Sequence, residues 1–76
     1  MSRLPTLTPK QVLAALKRAG FVEGHVHAKG SHIFLWNPET RASTVVAMHA
    51  KDLPRPLLKT ILKQAKLSED DFLKHL

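Results

Sequence analysis

The spacing of apolar residues predicts a helix near the start of the chain. The stripe consists of Val12, Leu13, Leu16 and either Ala15 or Ala19. Thr8 can cap this helix, Pro9 fits its first position, and Gln11 completes a capping box. Gly20 follows the last periodic residue, where a C-terminal stop is expected. We therefore predict a helix over residues 9–19.

After this helix the apolar residues occur in short runs that are typical of strands. The runs contain β-branched or aromatic residues and lie at 21–27, 32–36 and 42–48. Gly24 interrupts the first run and predicts a kink or bulge there. Lys29-Gly30-Ser31 and Asn37-Pro38 are turn signals between the runs. Because the connections are short, we predict a three-stranded antiparallel meander.

The last third of the chain is predicted to be helical again. Pro54 and Pro56 do not fit a helix interior, so the helix begins near Pro56. Its apolar stripe is expected to contain Leu57, Leu58, Ile61, Leu62 and Ala65. Its opposite, basic side carries Lys59, Lys63 and Lys66. Ser68, with acidic residues after it, predicts a short terminal helix that closes on the core through Phe72.

This order of elements predicts an α+β fold with an α-β-β-β-α arrangement. The helices are expected to cover one face of the three-stranded antiparallel sheet and to leave the other face open. Double-stranded-RNA-binding domains share this order, which is an analogy of fold alone. A chain of 76 residues buries a thin core, so a single domain over residues 1–76 is expected.

The second predicted strand has two apolar faces. His32, Phe34 and Trp36 share one face, while Ile33 and Leu35 share the other. Either face is apolar enough to meet the helices, and the sequence leaves this choice open. The face that stays open is then an exposed apolar patch, which usually marks a partner surface.

Composition adds a strong basic balance to this fold. Twelve Lys and Arg against six Asp and Glu give a net charge of +6, which favours a polyanionic partner such as nucleic acid. A basic domain whose charge only keeps it soluble is the alternative. The absence of cysteine excludes disulfides and thiolate metal sites. No apolar run has the length of a membrane span and no secretory signal is visible, so a cytoplasmic protein is expected.

The turn at Lys29-Gly30-Ser31 and two histidines are the main candidates for chemistry. A glycine turn lets the backbone approach a phosphate closely, Lys29 adds charge, and Ser31 adds a hydroxyl donor. His32 begins a strand beside this turn and can exchange a proton near neutral pH. The alternative is a tight hairpin turn followed by a partly buried histidine. His49 is a phosphate-binding candidate or a plain loop histidine.

A metal site is a weaker interpretation of the histidines. His25 and His27 alternate along a strand and could gather with His32 or His49 around an ion. However, the chain has no cysteine and no helical His-x-x-x-His pair, so surface histidines are the favoured account. We expect no metal and no small-molecule cofactor.

One set of motifs spans nearly the whole chain. It consists of Gly20-Phe21, Gly30-Ser31-His32, a Val-rich strand before His49, and Leu58-x-x-Ile61-Leu62-x-Gln64-Ala65-x-Leu67-Ser68-x-x-Asp71-Phe72. Together these motifs resemble the HicA toxin family of bacterial and archaeal toxin–antitoxin systems. The resemblance implies a double-stranded-RNA-binding-domain-like fold, ribosome-independent mRNA cleavage, a catalytic histidine at His32, and a HicB antitoxin that occludes the site.

The resemblance also implies a reaction that the residues can support. RNA carries its own nucleophile, the 2′-hydroxyl, and His32 would act on it as a general acid/base. The second group is left open among Lys29, His49 and the N–H groups of the turn. RNA contacts are expected at Lys29, Gly30, Ser31, His49, Lys59 and Lys63. A non-catalytic RNA-binding module and a small interaction protein are the alternatives.

Overall fold

The computed structural model describes residues 4–28, 32–49 and 51–76. The elements in chain order are α1 (Pro9–Arg18), β1 (Val22–Ala28), β2 (His32–Trp36), β3 (Ser43–Ala47), α2 (Arg55–Gln64) and α3 (Glu69–Leu73). The strands form one antiparallel sheet in the order β1-β2-β3. This architecture confirms the predicted α+β fold and is that of a double-stranded-RNA-binding-like domain. No helix among the described residues is long and apolar enough to span a membrane.

Two predicted caps fix where helices begin. The Thr8 hydroxyl accepts from the Gln11 N–H at 3.2 Å, and the Gln11 side chain accepts from the Thr8 N–H at 2.9 Å. This capping box satisfies two N–H groups that the first turn of α1 leaves unpaired. At α3, the Ser68 hydroxyl accepts from the Asp71 N–H at 3.0 Å. Both caps lie where the local sequence predicts them.

The two long helices end in the same backbone motif with different residues. The left-handed position after α1 is Gly20 at φ 102°, and the one after α2 is Lys66 at φ 58°. In each case the N–H of the next residue donates back into the helix, to the carbonyls of Leu16 and Leu62 at 3.0 Å. This is the Schellman arrangement. Only Gly20 was predicted as a helix stop.

The strand register assigns each residue of β2 to a face. Leu35 lies opposite Thr44, and Phe34 lies opposite Val45. Between β1 and β2 the register shifts after Glu23, which confirms the irregularity predicted near Gly24. A Cβ atom on Gly24 would collide with the Phe34 ring, so glycine allows the aromatic ring to lie against the strand.

The hydrophobic core lies between the helices and the Leu35 face of the sheet. Its buried residues are Leu4, Leu7, Val12, Ala15, Leu16, Phe21, Leu35, Ala42, Val46, Leu53, Leu58, Ile61, Leu62, Ala65 and Phe72. Both α1 and α2 pack against β3. The open question about the sheet is therefore settled, because the Ile33 and Leu35 face meets the helices. The prediction that Leu57 belongs to the buried stripe is wrong, since Leu57 is 41% exposed at the first turn of α2.

The segment before α1 is part of the core, which the sequence pattern did not predict. Leu4 and Leu7 are buried although no helix or strand includes them. The Leu53 N–H donates to the Leu7 carbonyl at 2.8 Å, in an isolated antiparallel bridge. The Arg55 side chain donates to the Leu4 carbonyl at 2.9 Å. These bonds hold the N-terminal segment against the entry to α2.

Candidate catalytic site

Two histidines from different parts of the chain come together at one end of the sheet. His32 is the first residue of β2, and His49 lies in the turn that follows β3. Their ring centroids are 5.4 Å apart, and the ring planes are tilted by 58°. Both residues are exposed. We call these two residues the histidine pair.

The strand register explains why the histidine pair forms. His32 lies opposite Ala47, the last residue of β3, so a residue just beyond Ala47 is brought to the start of β2. His49 is that residue, two positions further along the chain. On its other side His32 pairs with Ala28 of β1, so its backbone is held from both neighbouring strands. His32 therefore belongs to a strand that is paired on both sides, and sites built on strands position side chains more precisely than sites on loops.

The histidine pair can both accept and donate protons. Imidazole is the side chain whose charge changes most readily near neutral pH. Two exposed rings at this distance can approach different atoms of one bound group, one as acceptor and one as donor. The predicted antiparallel meander would bring the end of β3 near the start of β2, but the register that places His49 beside His32 is given only by the structure, and the sequence left His49 among several candidates.

The other predicted site residues have different positions. Lys59 and Lys63 are exposed and lie one turn apart on α2, so they share one side of the helix. Neither lysine is part of the ring contact between the histidines. Lys29, Gly30 and Ser31, which the sequence assigns to the phosphate-binding turn, lie outside the described residues. The same holds for the side chains of His25 and His27.

The basic residues of the surface differ in whether an acidic side chain lies next to them. On α1, the Lys17 ammonium lies 3.2 Å from a Glu23 carboxylate oxygen. Such exposed ion pairs contribute little to stability, but they reduce the net field that a distant anion meets. Lys59 and Lys63 are exposed and give α2 a basic outer side. Lys66, which was predicted to share this side, is exposed but lies beyond the end of the helix.

An exposed apolar patch lies on the same side of the sheet as His32. Register places Val22 opposite Trp36 and Val45 opposite Phe34, so all four side chains share the face of His32. Val22, Trp36 and Val45 are each 40–42% exposed. We call these three residues the open-face patch. Apolar side chains that cluster on an exposed sheet face are typical of a contact surface.

Among the described residues, the histidine pair belongs neither to a cluster of three metal-ligating side chains nor to the lining of the cavity found on another part of the molecule. Among the residues that the structure describes, no group of three or more His, Asp or Glu side chains is placed to hold a metal ion. A cavity of about 330 Å³ lies elsewhere, lined by Leu7, Gln11, Ala14, Arg18 and Leu76. The histidine pair instead lies at an open surface, which suits an extended substrate better than a small molecule.

Comparison with known proteins gives a family match. The family model described as HicA toxin of bacterial toxin-antitoxin matches residues 9–67. The matched segment runs from the start of α1 to beyond the end of α2 and includes both members of the histidine pair. No curated protein matches the chain.

Proposed function

The chain belongs to the HicA toxin family of bacterial toxin–antitoxin systems, and we propose that it is an endoribonuclease that cleaves mRNA with His32 as general acid/base. The observation that carries this proposal is the position of His32. Its side chain is exposed at the start of the central strand, beside a second imidazole. A proton-transfer group held in this way is what RNA cleavage requires.

The proposed reaction uses the nucleophile that RNA already contains. Neutral His32 accepts the proton of a ribose 2′-hydroxyl while the 2′-oxygen attacks the adjacent phosphorus. The bond from phosphorus to the 5′-oxygen breaks, which leaves a 2′,3′-cyclic phosphate and a 5′-hydroxyl. This route needs no metal, because the attacking oxygen is activated by proton removal. It also needs no cofactor.

The basic side of α2 is the proposed contact for the RNA backbone. Lys59 and Lys63 are exposed on the same side of this helix, and the chain has a net charge of +6. Lysines that neutralise phosphates release counterions, so binding should weaken steeply as salt is raised. Lys29, Gly30, Ser31 and His49 are proposed to contact the phosphate that is cleaved.

The test replaces His32 and measures cleavage of a labelled RNA in the presence of a chelator. We expect His32→Ala to slow cleavage by about 10²- to 10⁴-fold, the usual contribution of a positioned acid or base. The variant should keep its fold and its RNA affinity, since His32 is exposed. His75→Ala, a histidine outside the site, serves as the matched control and should cleave normally. Unchanged cleavage by His32→Ala would refute the proposed catalytic role.

A non-catalytic RNA-binding module is the second candidate, and the exposed lysines of α2 favour it. On that account the parent protein binds RNA but does not cleave it. Replacement of His32 is then silent, while Lys59→Glu and Lys63→Glu weaken binding and reduce its salt dependence. Cleavage and binding assays on the same variants therefore separate the two functions.

The proposed partner is a HicB-type antitoxin that docks on the open-face patch. Membership of a toxin–antitoxin family implies an antitoxin, and the patch offers Trp36, a residue type common in binding hot spots. Because His32 lies on the same face, a protein bound there would cover the proposed catalytic residue. The toxin freed from this complex would act in the cytoplasm, where mRNA is available.

The docking proposal is tested with two equally exposed apolar residues. Trp36 is 40% exposed on the sheet, and Leu57 is 41% exposed on α2. We expect Trp36→Asp to weaken binding of the co-expressed antitoxin by at least about 30-fold, the loss typical of a hot spot. Leu57→Asp should leave binding unchanged. Equal effects of the two substitutions would argue against docking on the sheet.

A further inference from the structure

The contact between His32 and His49 gives the proposed reaction a second proton-transfer group. The 2′-oxygen that attacks and the 5′-oxygen that leaves lie on opposite sides of the phosphorus, so one ring cannot serve both at once. His32 acts on the 2′-hydroxyl in the proposed function. The leaving 5′-oxygen still needs a proton, because an alkoxide is a poor leaving group.

His49 lies close enough to His32 for the two rings to serve one phosphodiester linkage. Each group must lie within hydrogen-bond reach, about 2.6–3.2 Å, of the oxygen it serves. Ring centroids 5.4 Å apart allow two exposed imidazoles to reach two oxygens of one phosphodiester linkage. The tilt of 58° also means that the rings do not stack face to face. A lysine is less suited to this role, since its ordinary pKa lies far above neutral pH.

We propose that His49 is the general acid of this site and protonates the leaving 5′-oxygen. The inference rests on the proposed ribonuclease function and assigns its second catalytic residue. Protonated His49 gives its proton to the 5′-oxygen as the phosphorus–oxygen bond breaks. Neutral His32 gains the 2′-proton in the same step. Afterwards His32 is protonated and His49 is neutral, and proton exchange with water restores both rings.

The decisive test changes the leaving group rather than the protein alone. An RNA in which sulfur replaces the bridging 5′-oxygen releases a thiolate, which leaves readily without protonation. We expect His49→Ala to cleave ordinary RNA about 10²- to 10⁴-fold more slowly than the parent. On the sulfur-bridged RNA, His49→Ala should approach the parent rate. His32→Ala should remain slow on both substrates, because the 2′-proton must still be removed.

A second variant separates proton donation from ring packing. His49→Phe keeps an aromatic ring beside His32 but has no proton to donate. We expect it to be as slow as His49→Ala on ordinary RNA and to be rescued equally by the sulfur-bridged RNA. An active His49→Phe variant would mean that His49 only positions His32, and it would overturn the assignment. Equal losses on both substrates would also overturn it.

The pH dependence of cleavage gives an independent readout. A general acid works only when protonated, so the parent rate should fall as the pH rises through the alkaline limb. His49→Ala should lose that limb, and persistence of the same limb would contradict the proposal. Failure of this inference differs from failure of the proposed function. If the parent does not cleave RNA at all, the ribonuclease proposal fails; if the parent cleaves and His49 variants match it, only the assignment of His49 fails.

Discussion

The two faces of the sheet carry similar apolar residues, but one face is buried in the core and the other is exposed. Leu35 and Val46 on one face are fully buried beneath the helices, while Trp36 and Val45, their neighbours in the chain, are each 40% exposed. Alternation along a strand sends adjacent residues to opposite faces, so the difference comes from the helices and not from hydrophobicity. The covered face stabilises the fold. The open face carries His32 and the patch proposed to bind an antitoxin.

At one pair of adjacent residues the polar side chain is buried and the apolar side chain is exposed. Thr44 is 3% exposed on the covered face, whereas the apolar Val45 is on the open face. Burial of the threonine hydroxyl is tolerated because it donates to the Gln64 side-chain oxygen at 2.8 Å. This bond ties the end of α2 to β3. The hydropathy of these two residues taken singly would have assigned them the other way round.

The largest contrast is expected between truncations on the two faces. Leu35→Ala should lower the free energy of unfolding by about 2–5 kcal/mol, because it leaves a cavity in the core. Trp36→Ala should lower it by less than Leu35→Ala does, since Trp36 is already 40% exposed and its removal leaves no enclosed cavity. Urea unfolding followed by far-ultraviolet circular dichroism measures both variants. Similar losses would mean that the open face also stabilises the isolated chain.

A smaller effect is expected where Phe34 lies against Gly24 on the open face. Gly24→Ala forces the ring away and should cost about 1–3 kcal/mol of unfolding free energy, as overpacking does. The penalty should largely disappear when Gly24→Ala is introduced into a Phe34→Ala background. A double-mutant cycle in urea checks this coupling. If the losses of unfolding free energy from the two single substitutions simply add in the double variant, the packing of the Phe34 ring does not require glycine at position 24.

Substitutions that exchange the side chains of the adjacent residues Thr44 and Val45 should have a still smaller effect on the unfolding free energy, and only the substitution of Thr44 should be destabilising. Thr44→Val removes the hydrogen bond to Gln64 and should cost about 0.5–1.5 kcal/mol of unfolding free energy. Val45→Thr keeps a β-branched residue on the exposed face and should change stability by less than about 0.5 kcal/mol. Thermal and urea unfolding of both variants provide the comparison. A larger loss for Val45→Thr would contradict the assignment of the faces.

The smallest effect on the unfolding free energy is expected from substitutions at the C-terminal ends of α1 and α2. Lys66 occupies a left-handed position that Gly20 occupies in the equivalent motif. Lys66→Gly should therefore raise the unfolding free energy by up to about 1 kcal/mol, because the strain of a side chain at positive φ is removed. Gly20→Ala should lower it by a similar amount. Loss of stability in Lys66→Gly would show that the lysine side chain compensates for its backbone.

Features that depend on neighbouring residues were predictable from sequence. The Thr8 and Ser68 caps, the stop at Gly20 and the irregularity near Gly24 rest on hydrogen bonds and backbone preferences within a few residues. These local rules were enough to predict the α-β-β-β-α order. The motif around His32 was also visible, because its residues are adjacent in the chain.

Other features depend on contacts between segments that are far apart in the chain, and residue preferences over a few positions do not predict them. The sequence determined the elements and the basic charge, but both faces of β2 were apolar, so the choice of covered face depended on helix packing. Burial of Leu4 and Leu7 depends on a bridge to Leu53, far away in the chain. The distance between His32 and His49 depends on the register of β2 with β3. Each outcome requires contacts between distant segments, whose free energy is set by the whole packed chain.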